Sequence, residues 1–240
     1  MAQTQSIAAD RLAAISWPSL EASLDERGYA VTPRLLDAGE CRALRALYAD
    51  EGAFRSRIVM RRHRFGEGEY QYFRYPLPDI VEELRRGFYP GLAPLANRWR
   101  QALGEEGRFP PTLAAYLKHC HEAGQARPTP LLLKYGEGDY NCLHQDLYGG
   151  EVFPLQLTLL LSDPATDFAG GEFVLVEQRP RQQSRAEIVP LAQGEAVIFA
   201  VNHRPVHGMR GFYRARLRHG VSRVRAGDRF TLGIIFHDAA

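Results

Sequence analysis

The chain has 240 residues, 45% hydrophobic and 24% charged, with a formal net charge of +2, so it can bury a core and is neither a disordered nor a fibrous composition. The near-balanced charge gives no electrostatic case for nucleic acid by itself, and lysine occurs only at Lys118 and Lys134, which lowers the weight of any one arginine cluster. No apolar run reaches membrane-spanning length and no basic-then-apolar leader is present, while Cys41, Cys120 and Cys142 are odd in number and scattered; we expect a cytoplasmic chain with reduced thiols and no membrane partner.

Residues 1–127 are expected to be mainly helical and to pack on a β-rich part, 128–240, within one integrated domain. Asp37 and Glu40 have the spacing of a capping box, after which Cys41, Leu44, Leu47 and Tyr48 share one helical face. Residues 54–75 are rich in Arg, Tyr and Gly with little helical period, which predicts a long excursion with a little strand, a lid or a binding loop. Its arginines 55, 57, 61, 62 and 64, beside Tyr70, Tyr72, Phe73 and Tyr75, could hold phosphates and stack bases; a solvated loop is the blander account. Leu92, Leu95, Ala96, Trp99 and Leu103 predict a second helix, and Leu113, Leu117 and Cys120 a third. His119-Cys120-His121 on that helix is expected to be structural, because positions one or two apart diverge around a helix. From Pro128 on, β-prone runs at 131–135, 152–161, 171–177, 186–189, 196–201, 221–224 and 228–237 are separated by Gly, Pro and Asp, as in a sandwich or jelly roll.

Within this β-rich half, His144 and Asp146 would project to the same side of a strand. His219 follows 75 positions after His144, and a distant strand brought alongside would complete a set of two imidazoles and one carboxylate. Such a set takes one face of non-haem Fe(II) and leaves positions for cosubstrate and O₂. His207 is the rival third ligand; His219 is preferred because it stands ten residues before Arg229. Arg229 and Thr231 share a face of the last strand, suited to a carboxylate through charge-assisted hydrogen bonds, and Gly233 next on that face leaves room. The alternate residues Phe230, Leu232, Ile234 and Phe236 would pack on the helices. An arginine pointing into a barrel needs an anion. His237 has no identified partner.

The ordered segments Lys134-Tyr135-Gly136-Glu137-Gly138-Asp139-Tyr140 into His144-Gln145-Asp146, Gly170-Gly171-Glu172-Phe173, Gly194-Glu195-Ala196-Val197-Ile198-Phe199, and His219-Gly220-Val221-Ser222 through Gly227, Arg229 and Thr231 resemble the Fe(II)- and 2-oxoglutarate-dependent dioxygenases, prolyl-4-hydroxylase-like branch. The resemblance covers about half the chain, residues 128–238. It implies an α+β chain built on a double-stranded β-helix (jelly roll), with N-terminal supporting helices. It further implies Fe(II) on His144, Asp146 and His219, 2-oxoglutarate on Arg229 with Thr231 and Tyr135, and C–H hydroxylation by O₂ with release of succinate and CO₂. Leu157, Leu159 and Leu161 depart from the polar or tyrosine residues that several relatives carry there, and Arg229 stands where some have lysine. The stretch from Phe168 to Arg181, running on to Ser184-Arg185, also resembles a bacterial oxygenase family assigned to oxidative demethylation of damaged DNA. Tyr140, Tyr148, Arg179, Arg181 and His207 are the candidate contacts to a macromolecular substrate, either damaged nucleic acid or a peptide hydroxylated as by prolyl hydroxylases. A non-catalytic, cupin-like metal- or ligand-binding module is the reading from another class.

Overall fold

The computed structural model describes residues 7–240. Its elements, in chain order, are α1 (Ile7–Ala13), α2 (Trp17–Arg27), β1 (Tyr29–Val31), α3 (Ala38–Ala46), β2 (Phe54–Val59), β3 (Gly66–Glu67), β4 (Glu69–Phe73), α4 (Asp79–Ala102) and α5 (Leu113–Glu122). There follow β5 (Leu131–Tyr135), β6 (Tyr140–His144), β7 (Leu155–Leu160), β8 (Phe168–Gly170), β9 (Phe173–Gln178), β10 (Arg185–Val189), β11 (Ala196–Ala200), β12 (His203–Gly208), β13 (Gly211–Val221), β14 (Val224–Gly227) and β15 (Arg229–Ile234).

Local chemistry accounts for the helices. Asp37 accepts from the Glu40 amide at 2.9 Å while Glu40 Oε2 accepts from the Asp37 amide at 2.7 Å, so α3 starts on a full capping box. Along α4, Val81, Leu84, Phe88, Leu92, Leu95 and Trp99 recur at helical spacing and are buried. In α5, Cys120 is buried while His121 Nε2 lies 2.9 Å from Asp238 Oδ2, a structural use of that histidine.

Two antiparallel sheets face each other. One has the order β1-β11-β7-β15-β5-β4-β2; the other runs β10-β9-β13-β6-β3, with β12 also paired to β13. This is the expected double-stranded β-helix in an α+β chain. The helices cover the outer face of the seven-stranded sheet, where Leu155, Leu157, Leu159, Ile198, Leu232 and Ile234 join the α4 residues in one core. Its inner face looks at the six-stranded sheet across the site.

Three expectations change here. Residues 54–75 form a hairpin that extends the large sheet: Ile58 pairs with Tyr70 across β2 and β4, and Tyr70 with Leu133 on β5. The Arg- and Gly-rich turn within it masked the β-prone Tyr70, Tyr72 and Phe73. Second, Leu157, Leu159 and Leu161 face the helices, because side chains alternate and the register sets Gln156 and Thr158 on the inner face. The apparent departure from the family at these leucines is thus a matter of register. Third, 203–221 is a hairpin of β12 and β13 that the sequence reading left out. Arg214, Arg216 and Arg218 alternate with buried Ala215, Leu217 and His219, a period-two signal disguised by the arginines.

The last sheet strand is tied to α4 through charge. Arg85, fully buried, donates to the Ile235 and Phe236 carbonyls at 2.9 and 3.0 Å and pairs with buried Asp238 at 2.8 Å. His237, also buried, accepts from the Phe153 amide at 3.3 Å. Burial, with Arg85 nearby, pushes His237 down to about 4. Since the unfolded chain binds this proton more readily, metal-free stability should fall as pH drops from about 6.5 to about 4, by up to about 3 kcal/mol from this group. Acid unfolding of His237→Asn, which keeps an acceptor but does not titrate, is expected to show a shallower slope in that window; equal slopes would contradict the assignment.

Candidate metal and cosubstrate site

His144 ends β6 directly opposite His219 on β13, and the next aligned pair is Val221 with Asn141. Three positions on β6 thus answer two on β13. This bulge lets both Asn141 and His144 face the interior, as bulges beside functional sites do. The two imidazole centroids are 4.2 Å apart.

Asp146 lies two residues beyond the end of β6, so it reaches the histidines from a loop and not, as expected, by alternation along a strand. Gln145 anchors that loop, donating at 2.7 Å both to Asn202 Oδ1 and to the Leu217 carbonyl. Asp146 Oδ1 is then 3.4 Å from His144 Nε2, and Oδ2 is 3.3 Å from His219 Nε2. One ligand atom from each residue falls within 4.8 Å of the others, and this is the one such group of three or more donors among the described residues.

The surroundings suit metal binding. His144 Nδ1 donates to the Cys142 carbonyl at 2.8 Å, which leaves the Nε2 lone pair for a ligand. Tyr148 OH and Gln156 Nε2 each donate to Asp146 at 2.7 Å, one to each oxygen. Burial alone would raise the Asp146 carboxyl, but its hydrogen bonds with His144 and His219 win and hold it well below the usual range. Burial lowers His219, aided by the charge of His144. For His144 burial pulls down as well, yet the Asp146 partner outweighs it and the imidazole is raised. Phe199 and Phe173 pack on the His219 ring at 4.6 and 6.0 Å between centroids.

The candidate anion-binding residue is a buried cation. Arg229 is 2% exposed, with the Tyr135 and Phe168 rings each centred 5.8 Å from its guanidinium carbon, and its Nε and Nη1 have no partner. Burial lowers its pKa to about 10. Gly171, at φ +62, permits this packing: a Cβ there would stand 2.8 Å from Arg229 Cδ. A buried guanidinium with two nitrogens unpartnered is costly, so this site fits an anionic ligand such as a carboxylate. Thr231 and Tyr135 line a cavity of about 180 Å³ together with the triad. Arg229 does not line that cavity but an adjoining hollow of about 350 Å³; Phe173 belongs to both walls. Gly233 also lines the first cavity, but it gives no spare room, since a Cβ would meet Leu131 at 2.6 Å.

Of the substrate candidates, Tyr148 lines the cavity and supports Asp146. Tyr140 carries the Arg223 guanidinium at 4.9 Å, Arg179 pairs with Glu177 at 2.7 Å, and Arg181 occupies a turn at φ 61. His207 sits across the β12–β13 hairpin against Phe212, away from the converging donors.

The fold is shared with solved oxygenases. A Pseudomonas putida prolyl-4-hydroxylase aligns with a TM-score of 0.51 at 14% identity, over 90% of this chain and 96% of that one. A Trichoplax adhaerens prolyl hydroxylase, solved with a hypoxia inducible factor peptide fragment, gives 0.52 at 13% identity over 96% and 90%. The non-heme alpha ketoglutarate dependent epimerase SnoN, from nogalamycin biosynthesis, gives 0.52 at 19% identity over 91% and 81%. Fold, donor set and buried cation together define the class: a 2-oxoglutarate-dependent non-haem iron oxygenase, an enzyme that uses Fe(II), 2-oxoglutarate and O₂. The chain belongs to the Oxygenase-NA family, described as oxygenases catalysing oxidative methylation of damaged DNA, which it matches over residues 68–239. Two uncharacterised proteins of Mycobacterium tuberculosis, from strains CDC 1551 / Oshkosh and ATCC 25618 / H37Rv, are each 51% identical over 168 residues, 70% of this chain and 72% of the relative. Membership of an oxygenase family sets aside the passive cupin-like reading. Among the described residues no helix is long and apolar enough to cross a membrane.

Gln156 is the site residue that the sequence reading missed. The signal was present, since Gln156 and Thr158 alternate in phase against Leu155, Leu157 and Leu159. Its Oε1 is buried without a partner while Nε2 holds Asp146. Gln156→Leu is expected to weaken Mn(II) binding by roughly 10- to 100-fold, the usual loss when a ligand's supporting partner is removed. Titration followed by the spectrum of free Mn(II) measures this, and unchanged affinity would exclude a supporting role.

Proposed function

We propose that this chain removes alkyl groups from damaged nucleobases by hydroxylating the carbon attached to nitrogen. In this reading His144, Asp146 and His219 hold Fe(II), and Arg229 with Thr231 and Tyr135 holds 2-oxoglutarate. The observation that carries it is the presence, in one barrel, of three converging donors and a fully buried guanidinium whose Nε and Nη1 have no hydrogen-bond partner. When bound, iron and cosubstrate supply the oxidation, in which one oxygen atom of O₂ enters succinate as CO₂ leaves and the other becomes the substrate hydroxyl.

The chain's own residues supply geometry. The Cys142 carbonyl fixes the His144 tautomer, Tyr148 and Gln156 fix the Asp146 carboxylate, and Phe173 and Val221 line a largely apolar cavity. An N-methyl group oxidised there becomes N–CH₂OH, which parts into N–H and formaldehyde. Oxidation of that carbon therefore takes a methyl group off, and the family description supports damaged DNA as the substrate. Phe65 and Tyr70 beside the triad suit a base taken out of its stack. A cytoplasmic setting suits an enzyme whose three cysteines are free, two of them buried.

The test is anaerobic binding of Fe(II) and 2-oxoglutarate, then succinate and formaldehyde release against alkylated oligonucleotides and peptides. Formaldehyde with oligonucleotides alone is expected. Succinate driven by peptides alone would move the substrate to the prolyl-hydroxylase type.

A further inference from the structure

Resting on the nucleic-acid reading above, we infer that the turn Met60–Phe65 is the docking surface for single-stranded nucleic acid, with Phe65 stacking the base at the mouth and Arg62 and Arg64 holding its phosphates. Phe65 lines the cavity with His144 and Asp146, yet it is 47% exposed, so its ring is offered to whatever enters. His63 stacks on one face of it at 5.3 Å and 22°. The turn is fixed to the metal-bearing strand, because the Cys142 amide donates to the Phe65 carbonyl at 2.8 Å, two residues before His144.

Charge selects the occupant. Arg57 pairs with Glu69 and Arg61 with Glu67, so those charges cancel. Arg62 and Arg64 are exposed and, among the described residues, have no anionic partner. Two free guanidinia next to an aromatic platform match a phosphate backbone with an unstacked base, whereas a neutral peptide has no use for them. On β6 and the loop after it, Leu143 and Leu147 are each 45% exposed.

The probe is a fluorescein-labelled single-stranded oligonucleotide carrying one 2-aminopurine, titrated with the full chain at several salt concentrations. Phe65→Ala is expected to weaken binding roughly 10-fold or more and abolish the 2-aminopurine quench, with Phe65→Tyr retaining both. The double variant Arg62→Ala/Arg64→Ala is expected to reduce the slope of log affinity against log salt by about 1.4. Thermal melting of each variant checks folding. If the wild type releases formaldehyde from alkylated oligonucleotides while folded variants bind like it, the surface lies elsewhere and the repair reading stands. If the wild type neither binds the oligonucleotide nor oxidises any alkylated one, both fail; tighter binding to an acidic peptide would give the surface to a protein partner.

Discussion

Replacing Asp146 by alanine is expected to reduce substrate-dependent succinate formation to background. Among the described residues, the carboxylate is the one that converges on the two imidazoles, 3.4 and 3.3 Å from their Nε2 atoms, and it is itself held by Tyr148 and Gln156. Supporting partners of metal ligands are worth roughly 10- to 100-fold in affinity, so loss of the ligand itself should exceed about 100-fold. A readout independent of turnover is thermal stability: saturating Mn(II) should raise the Tm of the wild type, since a ligand at about 100 times its Kd adds about 2.7 kcal/mol, and should leave the alanine variant unmoved. Asp146→Asn, close in shape, separates the loss of charge from any loss of folding. Full turnover in the alanine variant would remove Asp146 from the metal site.

Arg229→Met is expected to move stability and function in opposite directions. Without ligand, the wild type carries a fully buried guanidinium whose Nε and Nη1 are unpaired, and an apolar side chain of similar length should raise stability by about 1–3 kcal/mol. With 2-oxoglutarate the order should reverse. Two charge-assisted hydrogen bonds to a carboxylate, at about 1.5–3 kcal/mol each, correspond to an affinity loss on the order of 100-fold or more. The melting curves of the two proteins should therefore cross as Mn(II) and 2-oxoglutarate are added. Arg229→Lys keeps the charge and loses the fork, and should fall between them. A methionine variant that is less stable without ligand, or that binds 2-oxoglutarate normally, would place the cosubstrate elsewhere.

Much of the candidate site was readable because its residues are distinctive in type and distant only along the chain. His144, Asp146, His219, Arg229 and Thr231 are residues of distinctive function at distinctive intervals, and the alternation of Phe230, Leu232 and Ile234 announced which face of β15 turns to the helices. Where the reading went astray, the cause was register or a disguised period. Leu157, Leu159 and Leu161, which stand out against the polar or tyrosine residues of relatives, face the helices, and a shift of one residue sends a whole strand face to the other side. In the hairpin 203–221 the exposed half of the β13 alternation is arginine, which hid that strand, and in 54–73 the Arg- and Gly-rich turn masked the strands on either side.

The sequence by itself determined α3, α5 and the second half of α4, through capping and apolar spacing, and the reaction class, through the identity and order of its polar residues. Tertiary structure alone decided how those residues meet. The β6–β13 pairing sets one imidazole opposite the other, a bulge turns Asn141 and His144 inward together, and a loop beyond the strand swings Asp146 between the imidazoles. Only the folded chain brings Gln156 to the carboxylate and joins Phe65 to the cavity mouth. The physical reason is that residue type and short-range period are written along the chain, whereas contacts between distant strands depend on register, which the packed core selects as a whole.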